Sequence, residues 1–251
     1  MSAMKSNSLK IFAMVIFFIL KGLATNAQNN SGAITYELKV NMHRNIPEQD
    51  AHIKNMTPEF NISKEVLYFN ENESLYKPIE EDDNEDITRG GGGMQIRMRR
   101  PSAEVYSDIK SASKIIQQDI MGKMYLIQDT LKPLAWKIQS ETKEILGYSC
   151  QKATYYDEER KQEITAWFTS QLRSFLGPYT YNSLPGTVLQ VDINQGERVI
   201  TATGKEFREL KKNELKAPNK GEKVSPSEFS AKVKAFQEQM RANGGRMIIR
   251  N

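Results

Sequence analysis

The chain has 251 residues, with 35 Lys+Arg against 31 Asp+Glu, two histidines and a single cysteine. That length suits one core-bearing domain with a tail. The lone cysteine excludes an intramolecular disulfide, and the near balance of charge lacks the electrostatic footprint of a nucleic-acid binder.

The N-terminus reads as a signal peptide. Lys5 and Lys10 precede the ten-residue apolar run Ile11–Leu20, and Thr25-Asn26-Ala27 offers small side chains where signal peptidase reads. A spanning helix needs about 20 apolar residues, and Lys21 interrupts this run. Residues 1–27 are therefore expected to be removed before Gln28. The protein is expected to be exported, soluble after cleavage, and periplasmic, surface-located or secreted. The region just after the apolar core holds no cysteine to take a lipid, and no later segment is apolar enough to span a membrane. Cleavage removes three lysines and no acid, leaving 32 basic against 31 acidic residues, a net charge of +1.

Residues 28–33 are polar. Ile34, Tyr36, Leu38, Val40 and Met42 then alternate with Thr35, Glu37, Lys39 and Asn41. This period of two marks a strand with one buried and one wet face. The alternation lapses from His43 to Ser63, which contains Pro47 and Pro58 and predicts a crossing loop or short helix. Glu65–Phe69 and Ser74–Tyr76 flank Asn70-Glu71-Asn72-Glu73, a hairpin pattern. Residues 80–100 combine an acidic run, four consecutive glycines and an Arg-rich end at Arg97, Arg99 and Arg100. That composition predicts a flexible surface insertion within the domain. Strand patterns resume over 105–109, 114–120, 123–129, 136–138, 148–156, 164–169, 188–193 and 198–203. Gly122 falls at one turn and Asn194-Gln195-Gly196-Glu197 at another. Short strands without intervening helices predict antiparallel pairing.

Residues 208–251 change character. A Lys-rich linker over 208–224 leads to Ser225-Pro226-Ser227-Glu228, which carries an N-cap hydroxyl, Pro at the first helical position and Glu three residues after the cap. Phe229, Val233, Phe236 and Met240 follow as an amphipathic stripe, stopped by Gly244-Gly245. The organisation is a signal peptide over 1–27, a β domain over 28–207, and a linker with a helical tail over 208–251. The fold class is mainly β: a curved antiparallel sheet, open barrel or sandwich, with a C-terminal helix.

Within this frame Ile145–Ala153 (ILGYSCQKA) precedes Thr165-Ala166-Trp167-Phe168-Thr169, then Gly177-Pro178-Tyr179, then Ser183-Leu184-Pro185-Gly186-Thr187-Val188. The ordered set resembles the GLPGLI family of exported envelope proteins. The hexamer keeps Leu184, Pro185 and Gly186 and replaces the outer Gly with Ser183 and the second Leu with Thr187. Gly32–Glu37 is similar to the family's first strand. The resemblance implies a signal-bearing β-rich fold and carries no activity or catalytic residue with it.

Leu184-Pro185-Gly186 also reads physically as a type II turn, with Pro fixing φ and Gly free to take positive φ. It either sets strand register or, with Trp167, Tyr179 and Tyr181, forms a loop that touches a ligand. Catalysis has no motif to rest on: no nucleophile elbow, metalloprotease helix or phosphate loop is present. Cys150 is expected to be a buried thiol. No cofactor is implied, with copper(I) as an alternative, because Met42, His43, His52 and Met56 offer thioether and imidazole donors. The leading expectation is a non-enzymatic envelope module that binds or carries a hydrophobic small ligand. The alternatives are a structural protein docking on an envelope partner, and a copper-binding protein.

Overall fold

The structure, a computed structural model, describes residues 30–48, 51–79, 103–120 and 122–242. The expected signal peptide and the insertion over 80–100 lie outside these residues. The described chain folds as one open sheet of 12 strands. In chain order these are β1 (Gly32–Asn41), β2 (Phe60–Phe69), β3 (Glu73–Pro78), β4 (Ala103–Asp108), β5 (Ser113–Ile120), β6 (Lys123–Thr130), β7 (Lys137–Ile145), β8 (Tyr148–Asp157), β9 (Gln162–Thr169), β10 (Thr187–Ile193), β11 (Arg198–Phe207) and β12 (Glu222–Val224). A 3-10 turn (Met42–Asn45) and a short helix α1 (Ala51–Lys54) join β1 to β2, and α2 (Pro226–Ala242) follows β12. The spatial order is β12-β6-β5-β4-β3-β2-β1-β11-β10-β9-β8-β7. Every pairing is antiparallel except β12 with β6. The expected mainly β architecture is observed, as an open sheet and not a closed barrel.

Local chemistry explains the turns. Asn70 opens the β2–β3 hairpin, its side-chain oxygen accepting from the Asn72 and Glu73 amides at 2.9 and 2.8 Å. In the β10–β11 turn, Asn194 and Gln195 both have φ of 53° and Gly196 has 94°. That left-handed run suits a tight hairpin. β2 begins at Phe60, so the loop expected through Ser63 ends earlier. The strand was hidden because its inward positions at this end carry Asn61 and Ser63 while Phe60 and Ile62 face outward.

The sheet curves strongly. Asn182 bonds to Ser107 on β4 at 3.4 Å, and the next residue, Ser183, accepts from the Leu134 amide and Trp136 indole at 3.0 and 3.1 Å, just before β7. Eight inter-strand steps separate β4 from β7, roughly 38 Å in a flat sheet. Adjacent residues reach both only if the sheet wraps around them. The segment 170–186, between β9 and β10, therefore lies in the hollow of the sheet. The core sits there: Ile34, Tyr36, Leu67, Phe69, Tyr76, Val105, Ile164, Ala166, Phe168, Val188, Val191 and Ile200 pack with Leu176 and Leu184 of that segment.

The outer face is covered over one half. After β11 the chain crosses β1 to β5 and pairs as β12 beside β6. The crossing is fastened at its start by Ser31, whose hydroxyl donates to the Arg208 carbonyl at 2.8 Å, and at its end by the Lys220 amide on Gln117 Oε1 at 3.3 Å. From that start, the Arg208 side chain grips Glu214, midway along the crossing, through two hydrogen bonds of 2.7 Å. Val66, Leu75, Tyr106 and Leu126 are buried on the outer face, where this strap passes. Beyond β12, α2 packs against the opposite, inward-facing side chains of β6, with the Phe229 and Tyr125 rings 5.7 Å apart. Its start follows the capping box read from sequence: Glu228 Oε2 accepts from the Ser225 amide at 2.7 Å and Ser225 Oγ from the Glu228 amide at 3.3 Å.

Candidate functional site

The residues expected to touch a ligand separate into two groups. Leu184 is buried in the core, and Tyr179 and Tyr181 pack against it from the segment 170–186. The Tyr181 ring lies 6.5 Å from both Tyr179 and Trp136, and Trp136 lies 5.7 Å from Tyr155. Burial pushes the Tyr181 phenol up to about 12, against the opposing influence of Arg160 and Arg198. Burial likewise raises Tyr179 and Tyr36. Tyr36 donates from its phenol to the Val188 carbonyl at 2.7 Å, joining the central strand to the start of β10. These phenols stay neutral throughout ordinary pH and act as packing groups with a polar handle.

Trp167 also packs against the core cluster, but from the other face of β9. It sits between the core-facing Ala166 and Phe168, so alternation turns it to the outer face. There the Lys143 ammonium lies 4.2 Å from its ring centroid and also donates to Gln190. Gln190 in turn donates to Thr201 Oγ1 at 2.9 Å. Desolvation lowers the Lys143 pKa. Pro185 is exposed. Gly186 does not take the positive φ of the expected type II turn. Its amide instead donates to the Leu184 carbonyl at 2.8 Å, closing a three-residue turn centred on Pro185. Glycine is needed there for close approach, since a Cβ would stand 2.2 Å from the Thr169 carbonyl oxygen.

The Met/His set lies at the far end of β1. Met42 and His43 are in the 3-10 turn, His52 is exposed in α1, and Met56 is 77% exposed. His43 Nε2 bonds to the Thr57 carbonyl at 2.9 Å, which leaves Nδ1 as its remaining ring nitrogen for a metal. Among the described residues no group of three or more His, Cys, Asp or Glu side chains is placed to hold an ion. Cys150 is fully buried and its thiol pKa is raised by that burial.

Beside this turn a groove of about 590 Å³ opens on the outer face. Its walls are Lys39, Asn41, His43, Arg44, Phe60, Gln195, Gly196 and Val199. Sequence reasoning did not single out this group. The available signal was the reversed polarity of Phe60-Asn61-Ile62-Ser63, which becomes readable only once β2 is known to start at Phe60.

No protein-family model matches the chain, and no curated protein matches it. Two solved structures of PNGF-II, in the C2 and P21 space groups, are similar to it, each with a TM-score of 0.53 at 18% identity. They cover 80% and 81% of this chain but 32% and 33% of their own. The chain thus spans about a third of the length of those structures, and at this identity the likeness is one of fold. Among the described residues no helix is long and apolar enough to cross a membrane.

Proposed function

We propose that this chain is an exported, non-enzymatic interaction module of the cell envelope, akin to the GLPGLI proteins, that presents a rigid sheet to a protein partner. The filled hollow carries this reading. A carrier keeps its concave face open for a hydrophobic ligand, whereas Leu176, Leu184, Tyr179 and Tyr181 occupy that position here. The sheet's free edge adds support. β7 is nine residues long and has β8 as its only strand neighbour among the described residues. Its register breaks between Ile138 and Thr142, and it carries Lys137, Glu141, Lys143 and Glu144. A bulge and charges of this kind discourage self-pairing of an edge and leave it open to strand addition by a matched partner. The N-terminal apolar run and small-residue cleavage pattern support export.

The test uses the processed protein in its native envelope. A photo-crosslinking side chain at Ser140 on β7 should give one discrete protein adduct that the same group at Glu158, in the β8–β9 turn, does not. Native mass spectrometry should return the mass of the bare polypeptide. A co-purified lipid held at one copy per chain would overturn the reading in favour of a carrier.

A further inference from the structure

The first half of β2 is built inside out. Phe60 and Ile62 are 36% and 51% exposed on the outer face, while Asn61 and Ser63 point inward opposite Val40 and Leu38. Lys39 stands beside Ile62 and Val199 in register, and Asn41 beside Phe60. An apolar floor thus lies exposed where a strand ordinarily places polar side chains, and contiguous exposed apolar surface marks recognition sites.

Two cations overhang that floor. The Lys39 ammonium sits 3.8 Å from the Phe60 ring centroid. Arg44 Nη1 donates to the Gln195 carbonyl at 2.7 Å, which pins the guanidinium across the groove to the β10–β11 turn. An aromatic face and a carbonyl position these groups without neutralising them. Among the described residues, no carboxylate forms an ion pair with either. His43 is fixed alongside by its amide on Asn41 Oδ1 at 3.0 Å and its ring on Thr57. Two carboxylates adjoin the groove: Glu59 accepts from Asn41 Nδ2 at 3.4 Å, and Asp192 accepts from the amide of groove-lining Gly196 at 2.6 Å.

We propose that this groove binds a small organic anion: a carboxylate, phosphate or sulfate carried on an apolar or ring-bearing body. Lys39 and the free guanidinium edge of Arg44 hold the anionic group, and Phe60 and Val199 take the apolar body. The site stands apart from β7 and from any protein partner there, so its failure leaves the interaction-module reading untouched.

The processed full chain is titrated calorimetrically at low salt with phenyl phosphate, inorganic phosphate, benzyl alcohol and phosphatidylglycerol vesicles. Phenyl phosphate should bind in the millimolar range or tighter, at least about tenfold better than inorganic phosphate, and benzyl alcohol should not bind. Lys39→Gln and Arg44→Gln should each weaken phenyl phosphate about fivefold or more, Arg44→Lys should recover part of the loss, and added salt should weaken binding. Phe60→Leu should weaken phenyl phosphate and spare inorganic phosphate. Each variant's unfolding midpoint is measured beside its titration, so loss of the fold is not mistaken for loss of the site. Equal affinity in the wild type and the Lys39→Gln/Arg44→Gln double variant overturns the proposal, as does absence of binding up to about 10 mM. Inorganic phosphate binding as tightly as phenyl phosphate overturns the apolar half of it. Vesicle binding without phenyl phosphate binding assigns the surface to lipid and overturns the small-ligand assignment.

Discussion

Along β2 the outer face changes character within a few residues. Val66 is buried on the outer face, where the chain returns across it after β11, whereas Phe60 and Ile62, on the same face of the same strand, are exposed. The neighbouring strands repeat the contrast. Leu75, Tyr106 and Leu126 are buried on the outer face of the covered half, and Val199 lines an open groove on the other. Among the described residues, the strap covers apolar side chains on one half of the outer face and leaves Phe60 and Ile62 exposed on the other. On the covered half these side chains are removed from water.

Removal of residues 208–251 is the strongest way to break this comparison. Truncation uncovers Val66, Leu75, Tyr106 and Leu126 together with Tyr125 and Ile127, whose partners Val224 and Phe229 are lost. Burying one large apolar side chain is worth about 1.5–3 kcal/mol as an upper bound, so the loss should exceed about 3 kcal/mol in denaturant titration. Binding of a dye specific for apolar surface should appear with it. A truncated protein within about 0.5 kcal/mol of the parent would show that the strap covers nothing of consequence.

A smaller effect tests the hollow instead of the outer face. Gly186→Ala drives a methyl group to 2.2 Å from the Thr169 carbonyl oxygen, while Gly204→Ala meets its nearest atom, Thr35 Cβ, at 3.8 Å. The first should cost about 1–3 kcal/mol through forced backbone displacement, and the second should fall within about 0.5 kcal/mol. Thermal unfolding of the two variants decides it. Comparable midpoints would mean that the segment 170–186 is loosely held in the hollow.

How much of this could be read from the sequence follows the range of the forces involved. Alternation in Ile34–Val40, the strand pattern of Val188–Ile193, the Asn70 and Asn194 turns and the Ser225 capping box are local, and each element forms where the pattern placed it. The strap was not legible: its Lys-rich composition describes its exposed side, and its attachments to Ser31 and Gln117 lie 177 and 103 residues away in sequence. β12 pairs over only three residues, too few to show a period. For the segment 170–186, Gly186 announced a special position, but the need is for close approach and not for positive φ. The separation of Trp167 from Tyr179 and Tyr181 was implicit in the alternation of β9, since Trp167 and its neighbours Ala166 and Phe168 cannot share a face.

Acid sharpens the comparison by loosening the strap. The hydrogen bonds from Arg208, with further contributions from the Lys211 amide, hold the Glu214 carboxyl down at about 2. A depressed native pKa stabilises the fold above the unfolded carboxylate range and loses that contribution as pH falls toward the native value. Glu214→Gln should therefore be less stable than the parent at pH 7, with the gap closing between about pH 4.5 and pH 2. The pair is only partly covered, with side chains 25% and 15% accessible, so the gap at pH 7 should be modest and shrink with salt. A gap that widens on acidification would place the clasp elsewhere.

The smallest expected effect carries the sharpest contrast. Ile62 and Leu75 occupy the same outer face, one 51% exposed in the open half and the other 2% exposed beneath the strap. Leu75→Ala should cost about 2–4 kcal/mol, through lost transfer energy and the cavity left behind. Ile62→Thr keeps the β-branched shape that suits a strand and removes surface that water already reaches, so it should change stability by less than about 0.5 kcal/mol. Near-zero cost at Ile62 means that stability does not account for an isoleucine there, and the apolar outward side of β2 then calls for a binding role. A cost at Ile62 matching that at Leu75 would instead mean that something covers this half too, and the distinction between a covered and an open half of the outer face would collapse.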